Sequence, residues 1–561
     1  MCLGALLAAA VLYGPALHSP FLFDDFALPF QMTVGELPLA DWLSGTRPVL
    51  MFTYWLNHRL SDGGTFGYHA VNVLIHALNT GLVFYVLSCL LNLAGWTAKR
   101  VRMGALAGAA VFLVHPLATE SISYIAGRSE SLAALFVLAA YSLFLHRRER
   151  EIRWRDAAAI LALFGLGVAS KENAVALAGV MLLTDWSFPR GKVRKLYLLM
   201  TPGAAVAVFL VLRALLHGGN AGFTIREFTW YQYLFTQVRA ILTYLRMAVL
   251  PFGQSIDHDF PISRTMFEHG AWFCAVVLAV VMALALWLRR RDPLFCFGLL
   301  MFLIWLAPTS SVIPIADPLV ERRMYLPLLG LILLACDAAV RLRLRAPLAW
   351  SSLAAILLLL SVLTWQRNSL WGRPEELLIT AAQQSVHNPR PVANLTEMLI
   401  ANNRCQEALP WLERANRLSP GNYVVEASWG RALECLGRHE EALEHLNRAV
   451  AMQPAWKLYE LIGLLYGEMN RMDAAGMALR KAVEMEPRAG STHRSLALWY
   501  EATHDPAAAA AEYRAALALD PADVKARVGL GRVEALVSES QEFTAPAPHE
   551  PAHQPPTAAT P

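Results

Sequence analysis

APLAWSSLAAILLLLSVLTW, residues 346–365, runs its whole length without a charge. A helix of that length crosses the roughly 30 Å hydrocarbon core of a bilayer. Comparable apolar runs lie upstream, near 1–17, 69–93, 103–118, 131–146, 156–170, 173–186, 196–216, 270–288, 294–312 and 324–340. Counting all of them predicts eleven spans. The chain of 561 residues is 56% hydrophobic with a mean hydropathy of +0.39, too apolar for a soluble protein and long enough for at least two domains. Its small net charge of +4 gives no ground for a nucleic-acid partner.

The run at 232–252 is excluded from the count, because Arg239 and Arg246 lie within it. An interfacial or re-entrant helix accommodates such charges better than a lipid-facing span. Basic clusters test the choice through the positive-inside rule. They are Lys99, Arg100 and Arg102; Arg147, Arg148, Arg150, Arg153 and Arg155; Arg190, Lys192, Arg194 and Lys195; Arg289 to Arg291; and Arg341, Arg343 and Arg345. Eleven spans starting from the cytoplasm put all five clusters inside, whereas twelve would put the last two outside. Residues 1–17 lead into His18-Ser19-Pro20 without a small-residue cleavage site, so a retained first helix is expected. The loops near 18–68, 115–128 and 314–323, and everything after Trp365, then face away from the cytoplasm.

Downstream of the last run the texture changes. Pro420, Pro454, Pro487 and Pro521 recur at spacings of 34, 33 and 34, with Ala408/Ala415, Ala442/Ala449, Ala475/Ala482 and Ala509/Ala516 in phase. That period marks tetratricopeptide repeats, helix–turn–helix units that stack into a solenoid with a concave face for partners. The fold expected is therefore all-α: a polytopic membrane bundle over 1–368, about four repeats within 380–537, and a disordered Pro/Ala-rich tail over 538–561.

Of seven cysteines, five accompany apolar runs and none has metal-ligand spacing, so neither metal nor cofactor is expected; a Cys405–Cys435 disulfide is open. The polar residues that stand out sit in the outward loops: Asp24 and Asp25, Arg47, His115, Glu120, Arg128, Glu130, Lys171, Arg322, Arg323 and Tyr325. Acids and cations on one membrane face suit transfer from a lipid phosphate, where a base takes a hydroxyl proton and cations offset the leaving charge. Structural readings stand beside each. The Asp24-Asp25 pair can cap a short helix, His69, Asn72 and His76 can be interhelical hydrogen-bonding groups, Glu120 can pair with Arg128, and Arg128 and Lys171 can snorkel. The Asn394-Leu395-Thr396 sequon falls inside a predicted helix, which argues against glycosylation there.

The acidic pair, Arg47-Pro48-Val49, FGYHAVNVLIHAL (66–78), HPLATESISYIAGRSESLAALF (115–136), SKEN (170–173), ERRMYLPLLG (321–330) and the repeats, in that order, resemble the transmembrane-and-tetratricopeptide-repeat O-mannosyltransferases and their bacterial relatives, of the glycosyltransferase C superfamily. The resemblance covers residues 20 to about 530. It implies an inverting transferase that moves a monosaccharide, typically mannose, from a polyprenyl-phosphate carrier to a protein hydroxyl. One of Asp24 and Asp25 would be the base, with Asp25 preferred, and Glu120 a second acid near the acceptor. Arg128, Lys171, Arg322 and Arg323 would hold the donor phosphate, with Arg47, His115, Glu130 and Tyr325 as further site candidates. Arg128-Ser129-Glu130 and Arg322-Arg323-Met324-Tyr325 stand where relatives usually show Arg-Ala-Asp and Arg-Tyr-Leu-Tyr, which bears on the substrate more than on the reaction. The Ala-, Leu- and Arg-rich composition favours a bacterial inner membrane over an organelle membrane, with repeats on the non-cytoplasmic side that hold a protein partner. Alternatives are a non-catalytic anchored repeat scaffold, or a transferase whose acceptor is a glycan.

Overall fold

A computed structural model describes residues 2–28, 39–43, 45–61, 64–189, 193, 195–200, 228–342, 345–521 and 523–544. Within them every regular element is helical. They divide between two compact units, with the boundary between Met398 and Leu399.

In the first unit, four helices have the length and apolarity to cross a membrane: Phe66–Leu93, Arg128–Arg147, Glu268–Leu288 and Ala346–Trp371. A fifth candidate is the pair Ala98–Val114 and Pro116–Ser123, bent by 54° at His115-Pro116. The bend has a local cause, since proline lacks the N–H a continuous helix needs. Cys2–Tyr13, Trp154–Ser170, Ala176–Ser187, Pro293–Leu306 and Leu328–Arg341 coincide with the other expected runs. Residues 201–216 of the seventh run, and most of the nearby basic cluster, lie outside the described residues. Trp230–Val249, expected as a non-spanning segment, is amphipathic: Tyr233, Thr236, Gln237, Ala240, Tyr244 and Met247 form one buried stripe. Arg239 leaves that stripe to donate to Pro261 O and Ser263 Oγ, and Arg246 to Phe252 O.

The core runs along the bundle. Phe66–Leu93 packs against Cys2–Tyr13, Ala98–Val114 and Arg128–Arg147, burying Val83, Val86, Leu87, Phe112, Val137 and Tyr141. Pro293–Leu306 and Leu328–Arg341 cross at two glycines. A Cβ on Gly298 would meet Gly330 O at 2.9 Å, and one on Gly330 would meet Gly298 O at 2.5 Å. Small residues allow such close backbone approach, which is how membrane helices gain dispersion contact without a hydrophobic drive. The Asp24 turn, the 115–127 loop, the Glu321 turn and the end of Ala346–Trp371 are brought together: Asp25 accepts from the Ala126 amide, Arg322 pairs with Glu120, and Tyr124 stacks on Trp371.

In the second unit, helices follow the proline period: Cys405–Leu418, then Tyr423–Cys435 with His439–Met452, Trp456–Glu468 with Met472–Met485, and Gly490–Ala502 with Pro506–Leu519. A Cβ on Gly430 would lie 2.6 Å from Leu446 Cγ, and one on Gly463 2.6 Å from Leu479 Cγ, so glycine sets the spacing within each pair. Asn403, Gly437, Asn470 and His504 all take positive φ, at the same 34, 33, 34 intervals as the prolines. Cys405 and Cys435 form a disulfide. Val524–Thr544 closes the stack, so the tail boundary expected at 538 falls inside a helix; residues 545–561 lie outside the described residues.

The boundary between units also falls later than the sequence suggested. Helix Pro374–Gln384 and the segment after it stay with the bundle, because loop acids hold them. Asp257 accepts from Arg390 Nε and Nη2 at 2.6 Å each, Asp317 from Arg390 at 2.8 Å, and Asp259 from the amides of Val386 and His387 at 2.6 and 2.7 Å.

Candidate active site

The turn that carries the acidic pair is a short 3-10 helix, Phe23–Ala27, entered through Phe23 at φ +48. A left-handed phenylalanine costs about 1–2 kcal/mol, and its ring is held edge-on to Tyr124 at 6.2 Å. The turn points its two carboxylates in different directions. Asp25 is 1% exposed; Oδ2 accepts the Leu22 amide at 2.9 Å and Oδ1 the Ala126 amide at 2.8 Å. Burial, ahead of those two amides, pushes its pKa up to about 7, with Asp24 adding to the rise and Arg128 opposing it. Asp25 therefore ties the first loop to the second, the capping role that was one reading of the pair. Asp24 is exposed, and its carboxylate has no partner among the described residues. Only its backbone is held, donating to the Tyr124 phenol at 2.8 Å.

Tyr124 is the hinge of this arrangement. It stacks on Trp371 at 5.8 Å, and the charges of Asp25, Asp24 and Arg322 all act on its phenol. Arg322 in turn closes on Glu120: Nη1 to Oε1 at 2.5 Å and the backbone amide to Oε2 at 2.9 Å. Glu120 thus pairs with Arg322 and not with Arg128. Burial lowers Arg322, yet Glu120 more than compensates and holds it above its ordinary value. Two further pairs sit within electrostatic reach. Lys171 binds Glu130 at 2.6 Å, and Arg47 binds Glu172 through Nε and Nη2 at 3.0 and 2.9 Å. Burial pulls the Lys171 ammonium below its usual range against Glu130, and Arg322 and Arg47 pull it further. Arg47, Lys171 and Arg322 thus form one cationic group interleaved with Glu120, Glu130 and Glu172.

Other expected site residues are engaged elsewhere. Arg128 is fully buried and has no snorkelling path: Nε donates to Asn72 at 2.6 Å, Nη1 to Thr53, Nη2 to Tyr68 O at 2.8 Å, and the ring of Tyr54 lies 4.6 Å away. It locks the bundle and has no edge to offer a phosphate. Arg323 turns back onto the carbonyls of Pro318 and Asp317. His115 caps the break after Val114, accepting from the Leu117 amide and contacting Ala248 O. Tyr325 is a core residue, bonded to His76 and Asn79. His69, Asn72 and His76 act as the interhelical polar groups anticipated. Thr396 of the sequon is buried, bonded to Ala393 O.

Glu321, which opens the ERRMYLPLLG stretch but is not among the expected site residues, is fully buried and accepts from Gln254 at 2.7 Å, the Ser255 amide at 2.7 Å and His258 Nε2 at 2.9 Å. Burial pushes its carboxyl up, but Arg367, ahead of His258 and the Ser255 amide, draws it below the usual range. Among the described residues, no cluster of His, Cys, Asp and Glu forms a metal's ligand set.

A tetratricopeptide repeat family model matches residues 457–488. Over 389 residues the chain is 26% identical to protein O-mannosyl-transferase F38B6.6 of Caenorhabditis elegans, covering 67% of this chain and 54% of that protein. Over 560 residues it is 22% identical to human protein O-mannosyl-transferase TMTC3, covering 85% and 59%. The chain spans a little over half the length of these relatives. Among solved structures, a thermophilic tetratricopeptide-repeat protein from Thermus thermophilus matches 30% of this chain and 93% of its own, at 22% identity and a TM-score of 0.27.

Proposed function

We propose that this homologue of the protein O-mannosyl-transferases is a membrane glycosyltransferase, and that it moves a monosaccharide from a polyprenyl-phosphate carrier to a hydroxyl of a protein. One observation carries the reading. Beside an apolar helical bundle, Asp24 presents an exposed carboxylate, unpartnered among the described residues, on a turn braced by Asp25 and Tyr124. The acceptor oxygen attacks the anomeric carbon, its proton passes to Asp24, and the bond from that carbon to the phosphate oxygen breaks with inversion. Polyprenyl phosphate leaves. Arg322, Lys171 and Arg47 supply the positive field that favours the departing anion, while Asp25 and Arg128 position the loops.

Sidedness belongs to the same reading. The basic clusters lie in the cytoplasm, so Asp24 and the repeats face the periplasm of a bacterial inner membrane. The Cys405–Cys435 disulfide supports that side, because such bonds persist in oxidising compartments. The repeats would hold the protein acceptor. The test is to incubate the purified protein with a panel of polyprenyl-phosphate sugars and an acceptor protein, and to follow both by mass spectrometry. One lipid should be consumed and the acceptor should gain one hexose. Consumption of none would leave the anchored scaffold as the better reading.

A further inference from the structure

The span Ala346–Trp371 carries one charge, Arg367, in its last turns. An arginine within a spanning helix is costly, and its position calls for a partner. Here the partner is incomplete. Arg367 is 7% exposed, and its Nε and Nη2 have no hydrogen-bond acceptor among the described residues. The nearest carboxylate oxygen, Glu321 Oε2, is 4.0 Å from Nη2, beyond hydrogen-bond reach. Nε and Nη2 form the forked edge of a guanidinium, the edge with which Arg47 grips both oxygens of Glu172. In Arg367 that edge is unpaired among the described residues, and both nitrogens are shielded from solvent. Neighbouring groups do not compete for it: Thr364 donates to Val114 O, and Asn368 donates to Leu12 O while accepting from Ser123.

Glu321 is held in place opposite. Ser255 N–H and His258 occupy Oε1, and Gln254 occupies one side of Oε2. A carboxylate offers about four lone-pair directions, so Oε2 keeps one acceptor direction beside the unpaired fork. A second anion at the fork would face the Glu321 charge, whereas a hydroxyl both accepts from a guanidinium N–H and donates to a carboxylate. Neighbouring hydroxyls on a sugar ring match a two-donor edge set beside one acceptor. Glu321 also adjoins Arg322 in the chain, so this pair borders the cationic group.

Resting on the transferase reading above, we infer that Arg367 and Glu321 form the subsite that reads the hydroxyls of the carrier-bound monosaccharide. Gln254, Ser255 and His258 hold Glu321 in register. Arg367 is the specificity residue of the pair, and Glu321 both orients it and accepts from the sugar. The cationic group of Arg47, Lys171 and Arg322 is left to the phosphate.

The test compares binding, not turnover, so that it stands apart from the chemistry. Thermal shifts of the full chain in detergent are titrated with polyprenyl-phosphate mannose, its glucose epimer, and sugar-free polyprenyl phosphate. Wild type and Asp24→Asn should prefer one sugar-bearing lipid over the sugar-free one by at least about tenfold in midpoint concentration. Arg367→Gln should erase that preference and leave the response to sugar-free lipid within about twofold of wild type. Arg367→Lys, which keeps the charge opposite Glu321 without the fork, should do the same, and it carries the test if the glutamine variant does not fold. A preserved sugar preference in these variants overturns the inference alone. Loss of the response to sugar-free lipid as well overturns it in favour of a phosphate seat. No shift with any lipid in wild type overturns the transferase reading and the inference with it.

Discussion

Replacing Asp25 by asparagine separates a bracing carboxylate from a reacting one, and its signature is a change of sign with pH. The carboxyl has an ordinary value of 3.8 and sits at about 7 in the folded protein, chiefly through burial. Between those values the folded state keeps a proton that the unfolded chain releases. Stability therefore falls as pH rises from about 4 to about 7, and is flat in this group on either side. The gap of about 3 pH units at about 1.4 kcal/mol each amounts to about 4 kcal/mol. The asparagine variant would carry no such slope. Its side-chain carbonyl can still accept one of the two amides, from Leu22 or Ala126, but its NH2 faces the other, at a cost of about 1–3 kcal/mol. Asp25→Asn should thus be less stable than wild type at pH 5 and equal or more stable at pH 8. Tryptophan-detected thermal unfolding in one detergent, from pH 4.5 to 8.5, reads the difference directly. A wild-type midpoint that rises across this range relative to the variant would refute the argument, as would parallel curves.

Other consequences are more local. Arg128→Gln should cost about 3 kcal/mol or more, because it strips Asn72, Thr53 and the Tyr68 carbonyl of a shared buried donor; a melting midpoint within about 2 °C of wild type would contradict this. The Cys405–Cys435 bond closes a separation of 30 residues, worth about 3.5 kcal/mol by loop entropy. Protein isolated without reductant should resist maleimide–polyethylene glycol at both cysteines, and the double serine variant should show faster hydrogen exchange over 405–435. Gly463→Val drives a side chain into Leu479 at 2.6 Å and should cost about 1–3 kcal/mol, seen as protease nicking confined to the repeats of the full chain.

Much of the architecture was legible because it is periodic. The apolar runs and the proline spacing announce a bundle followed by repeats, and the left-handed turn positions keep the same intervals. Those turns were nonetheless invisible, since only Gly437 of the four is a glycine and Asn403, Asn470 and His504 tolerate or are held in the same conformation. The site was legible as a set of loops and not as a set of contacts. Asp24 and Asp25 are indistinguishable in the sequence, because a 3-10 turn alone decides which one faces the Ala126 amide. The resemblance offers Arg128 as a phosphate ligand, whereas its donors go to Asn72, Thr53 and Tyr68. Arg367 lay beyond the apolar run that ends at Trp365, so nothing marked it as part of the helix. Its burial, like the Gln254–Ser255–His258 cradle of Glu321, depends on partners far away in the chain.

The transfer rate of Asp24→Asn bears most directly on the account. Initial rates from the preferred polyprenyl-phosphate sugar to protein should be measured for wild type, Asp24→Asn and Asp24→Glu, alongside lipid binding. Loss of the proton acceptor should lower Asp24→Asn by about 10²–10⁴-fold, with binding unchanged and partial recovery in Asp24→Glu. A rate for Asp24→Asn within a few-fold of wild type would contradict the assignment.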